Sequence, residues 1–133
     1  MKIQVIVVVS SDGSLALEDL LDIRIESGKY GIETLKNRTD LILNKDSSLI
    51  VLLEEKRKAS TLKYLVKITS STFDFVKGLF LYNLVDELIL YQIPSVKNIG
   101  SRLSELTNLP EWKLIEQQSI NPILFRLIYR RNK

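Results

Sequence analysis

The sequence predicts a single α/β domain, residues 1–133, with a mostly parallel central sheet, flanking helices and an antiparallel C-terminal hairpin. Its 133 residues are 45% hydrophobic and 26% charged, which suffices for one core. Residues 3–9 are almost entirely apolar and mostly β-branched, which is typical of a strand covered on both faces. Strand-like and helix-like segments then alternate, and two strand-like segments end the chain, as expected for an α/β fold.

Two helices are predicted between the strands. Residues 30–38 place apolar side chains on one helical face. The second helix begins at Ser71 or Thr72, either of which can cap it, and runs to about Leu84. Asp74 lies in its first turn, where a negative charge suits the helix dipole.

Six further strands are predicted after the opening one. The last two are separated by Asn121 and Pro122, a dipeptide that favours a turn, so this pair is predicted to be antiparallel. Residues 54–58 are charged and are interpreted as a solvated stretch between two strands. The predicted strands are residues 41–43, 48–53, 62–68, 88–91, 112–118 and 123–129.

The chain contains neither cysteine nor histidine. This composition excludes disulfides, thiolate metal sites, cysteine nucleophiles and a Ser-His-Asp triad, and we predict no metal site. Carboxylates, lysine, tyrosine, hydroxyls or a cofactor must carry any catalysis, and a cofactor with its own chemistry fits best. The sequence assigns no catalytic residue. The apolar start is too short to span a membrane, so we predict a cytoplasmic protein.

Three segments resemble the reductase domain of riboflavin biosynthesis, a relative of dihydrofolate reductase. Residues 7–16 resemble its opening strand and Ser-x-Asp-Gly turn. Residues 35–44 resemble its helix end and second strand, and residues 84–94, which begin Leu-Val-Asp-Glu-Leu, resemble a later strand and its proline. Gly100 and Leu103 then match the loop that follows. The middle of the chain is much shorter than in a full reductase.

The resemblance implies a dihydrofolate-reductase-like fold, NADPH as cofactor, a phosphorylated pyrimidine intermediate as substrate, and a homodimer. It assigns substrate binding to Ser11, Asp12 and Gly13, at the open end of the sheet. The alternative for this segment is a plain turn after a buried strand.

The cofactor site implied by the resemblance departs from the family pattern. Asn44 stands where the family has glycine, and residues 69–72 replace a Gly-Gly pair. Glycine permits close backbone approach to a pyrophosphate, whereas serine and threonine offer hydroxyls that can bind phosphate at a helix N-terminus. The alternative for residues 69–72 is a helix cap with a polar loop. The predicted cofactor-binding residues are Asn44, Thr69, Ser70, Ser71, Thr72 and Gly100.

Asp86 and Glu87 allow two interpretations. They supply a carboxylate for acid–base work, or they end the helix and anchor the next strand through backbone hydrogen bonds, which we favour.

The aromatic residues also allow two interpretations. They suggest a base-stacking platform or, as their helical spacing favours, core packing. Phe75 and Tyr82 are expected to point outward. The aromatic set is Phe73, Phe75, Phe80, Tyr82 and Tyr91.

The C-terminal strands suggest two further surfaces. Trp112, with Leu124, Leu127 and Ile128, is a candidate homodimer interface. Basic residues near the chain end can contact phosphate, although a solvated end is the favoured interpretation. These basic residues are Arg126, Arg130, Arg131 and Lys133.

Three functions follow from these patterns. The first is an NADPH-dependent reductase. The second is a shortened, catalytically inactive relative that serves as a nucleotide-binding or structural homodimer. The third and weakest is a nucleic-acid binder, for which no recognised motif is visible.

Overall fold

The structure is a computed structural model that describes residues 1–10, 13–15, 31–93, 102–107, 111–121 and 124–131. The strands are β1 (Lys2–Ser10), β2 (Leu41–Ile42), β3 (Lys63–Lys67), β4 (Glu87–Ile93), β5 (Trp112–Asn121) and β6 (Leu124–Arg131). The helices are α1 (Ile32–Asn37), α2 (Leu49–Arg57) and α3 (Phe73–Leu81), and Leu103–Glu105 form a short 3₁₀ helix.

The six strands form one sheet in the order β2-β3-β1-β4-β6-β5. The pairs β2–β3, β3–β1 and β1–β4 are parallel, whereas β4–β6 and β6–β5 are antiparallel. The opening strand therefore lies in the middle of the sheet, as its apolar sequence predicted. The Val-Asp-Glu-Leu segment joins it directly, since Gln4 pairs with Glu87 and Ser10 with Ile93. The mostly parallel sheet and its antiparallel hairpin are confirmed.

The sheet is covered on both faces because successive side chains of β1 point in opposite directions. Val5 and Val7 belong to the core beneath α2 and α3, and Ile6 and Val8 belong to the core beneath α1. Gly78 of α3 allows α2 to approach closely, because a Cβ there would lie 2.9 Å from the Leu49 Cδ1 atom. Among the described residues, no helix is long and apolar enough to cross a membrane.

The strand predicted at residues 48–53 is wrong, because this segment begins helix α2. Ser48 caps the helix by accepting a hydrogen bond from the Val51 N–H at 3.3 Å. Leu52 is the buried member of the apolar run, whereas Ile50 is 74% exposed. The charged residues 54–57, predicted to be a solvated stretch, complete the helix. A short apolar run is ambiguous between strand and helix, and the cap with the charged helix formers after it decides this case.

Helix α3 is shorter than predicted and faces the core differently. It ends at Leu81 rather than Leu84, and Asn83 follows with a left-handed φ of 56°, a conformation common just after helix ends. Tyr82 is exposed as predicted. Phe75 was predicted to point outward but is buried, so the apolar face of the helix is broader than its spacing indicated.

Candidate functional site

The carboxyl ends of the parallel strands lie at one edge of the sheet, which we call the carboxyl rim. Asn44 follows β2, the loop of residues 69–72 follows β3, and Gly13 follows β1. The topology therefore brings all the predicted binding residues that the structure describes to the same rim. Ser11, Asp12 and Gly100, the other predicted members, lie outside the described residues.

Gly13 closes a tight turn after the central strand. Its φ is +88°, a conformation that side chains disfavour. Its N–H donates to the Ser10 carbonyl at 3.0 Å, and the Ser10 N–H donates to the Ser14 carbonyl at 2.9 Å. The Gly13 carbonyl accepts from the Leu103 N–H at 3.1 Å, which ties this turn to the 3₁₀ helix.

Several polar groups in the loop of residues 69–72 form hydrogen bonds with one another or with the end of β3. The Thr69 N–H donates to the Thr72 Oγ1 atom at 2.8 Å, and the Thr72 N–H donates to the Thr69 Oγ1 atom at 3.3 Å. The Thr72 hydroxyl donates to the Lys67 carbonyl at 2.8 Å. Thr72 occupies the N-cap position of α3, as predicted, but its side chain makes no capping bond to that helix. Asp74 lies in the first turn, where its negative carboxylate interacts favourably with the helix dipole.

Asn44 also closes a turn with its own side chain. Its Oδ1 atom accepts from the Asp46 N–H at 2.8 Å, and its backbone N–H donates to the Ser47 Oγ atom at 2.9 Å. Short polar side chains commonly bond to the backbone in this way where a strand ends. Asn44 is therefore placed at the rim as predicted, with its side-chain oxygen already hydrogen-bonded.

Solved structures share this architecture. A protein of Shewanella sp. PV-4 assigned to riboflavin biosynthesis aligns over 100% of both chains, with a TM-score of 0.64 and 14% identity. Dihydrofolate reductase of Schistosoma mansoni aligns over 99% of both chains, with a TM-score of 0.63 and 12% identity. That of Enterococcus faecalis, solved with NADP(H), covers 99% of this chain and 97% of its own, with a TM-score of 0.55 and 15% identity. The chain has a dihydrofolate-reductase-like fold.

The structural likeness confirms the fold that the three sequence segments suggested. No protein-family model and no curated protein sequence matches this chain. The likeness to dihydrofolate reductases therefore lies in the architecture and in short motifs, whereas the overall sequence identity to these structures is low.

Asp86 and Glu87 lie at the opposite edge of this fold, where the parallel strands begin. The Asp86 Oδ2 atom accepts from the Ile3 N–H at 2.8 Å, and the Asp86 N–H donates to the Ile3 carbonyl at 2.9 Å. This confirms the prediction that Asp86 anchors a strand through backbone bonds. Since both residues stand at the amino end of β4, neither belongs to the carboxyl rim.

Glu87 is a buried charge that the sequence analysis did not identify as one. Its carboxylate accepts from Gln4 at 2.7 Å and lies 3.1 Å from the Lys2 ammonium and 2.9 Å from the Arg130 guanidinium. Burial raises the pKa of Glu87, but the hydrogen bonds from Gln4, Arg130 and Lys2 outweigh burial and hold the pKa below its ordinary value. Lys2 and Glu87 each begin a strand, and opposite charges at the starts of two parallel strands were the sequence feature that could have predicted this pair.

The predicted solvated basic end is wrong for Arg126, which is buried in β6, whereas Arg130 and Arg131 are exposed or partly exposed and also bind groups of this chain. Arg126 is buried and donates to Glu116 at 2.7 Å. Arg130 pairs with Glu87. Arg131 donates to the Val85 carbonyl at 2.8 and 3.0 Å. Lys133 lies outside the described residues.

Phe80 and Tyr91 are buried in the core, as their spacing favoured, Phe75 is buried as well, and Tyr82 is exposed. Phe80 and Trp112 meet edge to face with centroids 6.1 Å apart, and the Trp112 indole N–H donates to Thr107 at 2.8 Å. Trp112 is itself buried, as are Leu124 and Ile128 of the proposed interface. These three side chains stabilise the sheet of their own chain and do not present an exposed apolar surface.

Proposed function

We propose that this chain is a shortened relative of the riboflavin-biosynthesis reductases that binds a nucleotide-like small molecule at the carboxyl rim without turning it over. Its dihydrofolate-reductase-like fold and its likeness to a protein assigned to riboflavin biosynthesis support this kinship. Ligands of open α/β sheets bind beyond the carboxyl ends of the strands, where Gly13, Asn44 and Thr69 lie. The shared rim is the observation that carries the proposal.

The loop of residues 69–72 is the reason why we propose that the chain binds a ligand but does not reduce it with NADPH. A pyrophosphate at a helix N-terminus is held by free backbone N–H groups. In this loop the N–H groups of Thr69 and Thr72 already donate to hydroxyls of the loop, and Asp74 adds a carboxylate to the first turn of α3. Because two N–H groups of this loop are already engaged and a carboxylate lies beside it, we expect the loop not to hold the pyrophosphate of NADPH.

A thermal-shift panel with NADPH, NADH, FMN and pyrimidine nucleotides tests the proposal. We expect a pyrimidine nucleotide or FMN to raise Tm and both nicotinamide cofactors to leave it unchanged, because a ligand stabilises only the state that binds it. Asp12→Asn should reduce the shift. Glu54→Gln, which removes an exposed carboxylate of α2, should not. Absence of stabilisation by every compound would contradict small-molecule binding at this rim.

The second candidate is an NADPH-dependent reductase acting on a phosphorylated pyrimidine intermediate. It is favoured by the likeness of this chain to a dihydrofolate reductase solved with NADP(H). Bound NADPH would supply the hydride, and Ser11, Asp12 and Gly13 would bind and orient the substrate. Increased NADPH fluorescence on binding, followed by loss of NADPH absorbance when the pyrimidine is added, would replace the first candidate with this one.

We also propose that the chain forms a homodimer. The supporting observation is that Leu114 and Ile115 of the edge strand β5 are exposed, at 43% and 39%. Light scattering at micromolar concentration should give twice the chain mass, and Leu114→Ser should shift the equilibrium towards the monomer. A monomeric mass for the unmodified chain would contradict the dimer. The cytoplasmic location stays a prediction.

A further inference from the structure

A polar pocket of about 500 Å³ lies between α1 and one face of the sheet, on the side where β1 and β3 begin. It is separate from the carboxyl rim, because Lys2 and Lys63 start their strands and Arg38 follows the last turn of α1. The side chains that the argument uses are Lys2, Gln4, Arg38, Lys63, Glu116 and Arg126.

The wall of this pocket is built from polar side chains at positions that usually pack a core. Arg126 points to the same sheet face as the buried Ile128, yet its side chain is only 8% exposed and bonds to Glu116 at 2.7 Å. Burying a charged group is unfavourable unless it is paired, so the Arg126–Glu116 pair fixes a charged wall in place. Gln4 adds a neutral hydrogen-bonding group to the floor.

The charge of the pocket is predominantly positive. Four cationic side chains line it with one carboxylate, Glu116. Nearby acids compensate part of this charge, because Glu87 pairs with Lys2 at 3.1 Å and Asp40 accepts the Lys63 backbone N–H at 2.7 Å. In the part of the chain that the structure describes, the Arg38 guanidinium and the Lys63 ammonium form no ion pair.

We propose that this pocket binds a small phosphate ester, with its phosphate held by Arg38 and Lys63. Arginine presents a planar set of N–H donors that matches phosphate oxygens, and lysine adds a point charge. The volume is within the range of sites that hold metabolite-sized ligands. Gln4, whose amide nitrogen donates to Glu87, offers its amide oxygen to a hydroxyl of the organic part.

Titration calorimetry with glucose 6-phosphate, inorganic phosphate and succinate tests this second site. We expect glucose 6-phosphate to bind more tightly than inorganic phosphate, and succinate to bind most weakly. Arg38→Gln and Lys63→Gln should each weaken glucose 6-phosphate binding about tenfold or more, the worth of one charge-assisted hydrogen bond. Arg57→Gln and Lys58→Gln, which remove exposed cations at the end of α2, should change it less than about twofold.

Three results would overturn the proposal: no binding of glucose 6-phosphate, equal weakening in the pocket and control variants, or binding of succinate or inorganic phosphate as tight as that of the ester. Thermal unfolding of each variant shows whether it folds. Asp12→Asn, which changes a residue predicted to bind the ligand of the carboxyl rim, should leave glucose 6-phosphate binding unchanged, so failure at one site is distinguishable from failure at the other.

Discussion

Replacing Glu87 with glutamine tests whether the buried charge network stabilises the fold. Glu87 is 4% exposed and accepts hydrogen bonds from Gln4 and Arg130 while it pairs with Lys2. Glutamine preserves the volume but leaves two cations facing a neutral amide. The network joins the amino end of β1 to β4 and to β6, so its loss acts on three neighbouring strands.

The expected cost of Glu87→Gln follows from the exposure of its partners. Breaking a fully buried ion pair costs about 3–5 kcal/mol. The Lys2 and Arg130 side chains are 39% and 60% exposed, so they keep part of their hydration when the carboxylate is removed. Exposed pairs contribute at most about 1 kcal/mol. We therefore expect the free energy of unfolding to fall by about 2 kcal/mol.

Urea denaturation at pH 7 measures this change as a shift of the midpoint by about 1 M, since small proteins lose about 1–3 kcal/mol per molar urea. Glu54→Gln is the control, because Glu54 and its partner Arg57 are 53% and 80% exposed. Its midpoint should stay close to that of the unmodified chain. A Glu87→Gln midpoint equal to that of the control would refute the stabilising role of the network.

The pH dependence provides a second check on Glu87. The folded pKa of Glu87 lies below its ordinary value of 4.5. A carboxyl with a lowered folded pKa stabilises the fold above its unfolded pKa and loses that contribution as pH falls through the folded pKa. The difference between the unmodified chain and Glu87→Gln should therefore be constant near neutral pH and shrink below pH 4.5. A difference that grows on acidification would contradict this assignment.

Two further substitutions test local geometry by urea denaturation. Ala59 follows α2 with a left-handed φ of 53°, so Ala59→Gly should raise the free energy of unfolding by about 0.5–1 kcal/mol, and an equal or lower value would contradict strain there. The Thr72 hydroxyl bonds to Thr69 and to the Lys67 carbonyl, so Thr72→Val should cost about 1–2 kcal/mol whereas Thr72→Ser retains most of the stability. Equal losses in both would contradict the hydrogen-bonding role.

The sequence predicted the centre of the fold well because burial leaves a strong local pattern. Apart from Gln4, residues 3–9 are apolar on both faces of the strand, as expected for a central position, and β1 lies between β3 and β4. The closing hairpin was equally predictable, because two strand-like segments flank a turn dipeptide. The prediction failed at residues 48–53, where apolar residues are shared between a buried side and an exposed side of a helix.

The candidate site was predictable only in its placement. Strand order along the chain determines which loops meet at the carboxyl rim, so Gly13, Asn44 and Thr69 could be assigned there from the sequence. Their hydrogen bonds could not be predicted from the sequence, because a polar side chain at the rim can bond either to a ligand or to the nearby backbone. The roles of Arg126 and Glu87 were also hidden, since cross-strand partners far apart in sequence decide whether a charge is solvated or paired.

The two faces of the sheet differ in how far polar side chains interrupt their buried cores. Beneath α2 and α3, the inward side chains of β1, β3 and β4 are apolar, with Val7, Val66 and Leu88 fully buried. On the other face α1 has six residues, a length of about 9 Å, so this helix covers only part of the described strands. Beside this helix, the polar side chains of Gln4 and Arg126 line a pocket and are held by partners from neighbouring strands. Both faces therefore carry a buried apolar core, and the proposed second site lies where Gln4 and Arg126 interrupt the core beneath α1.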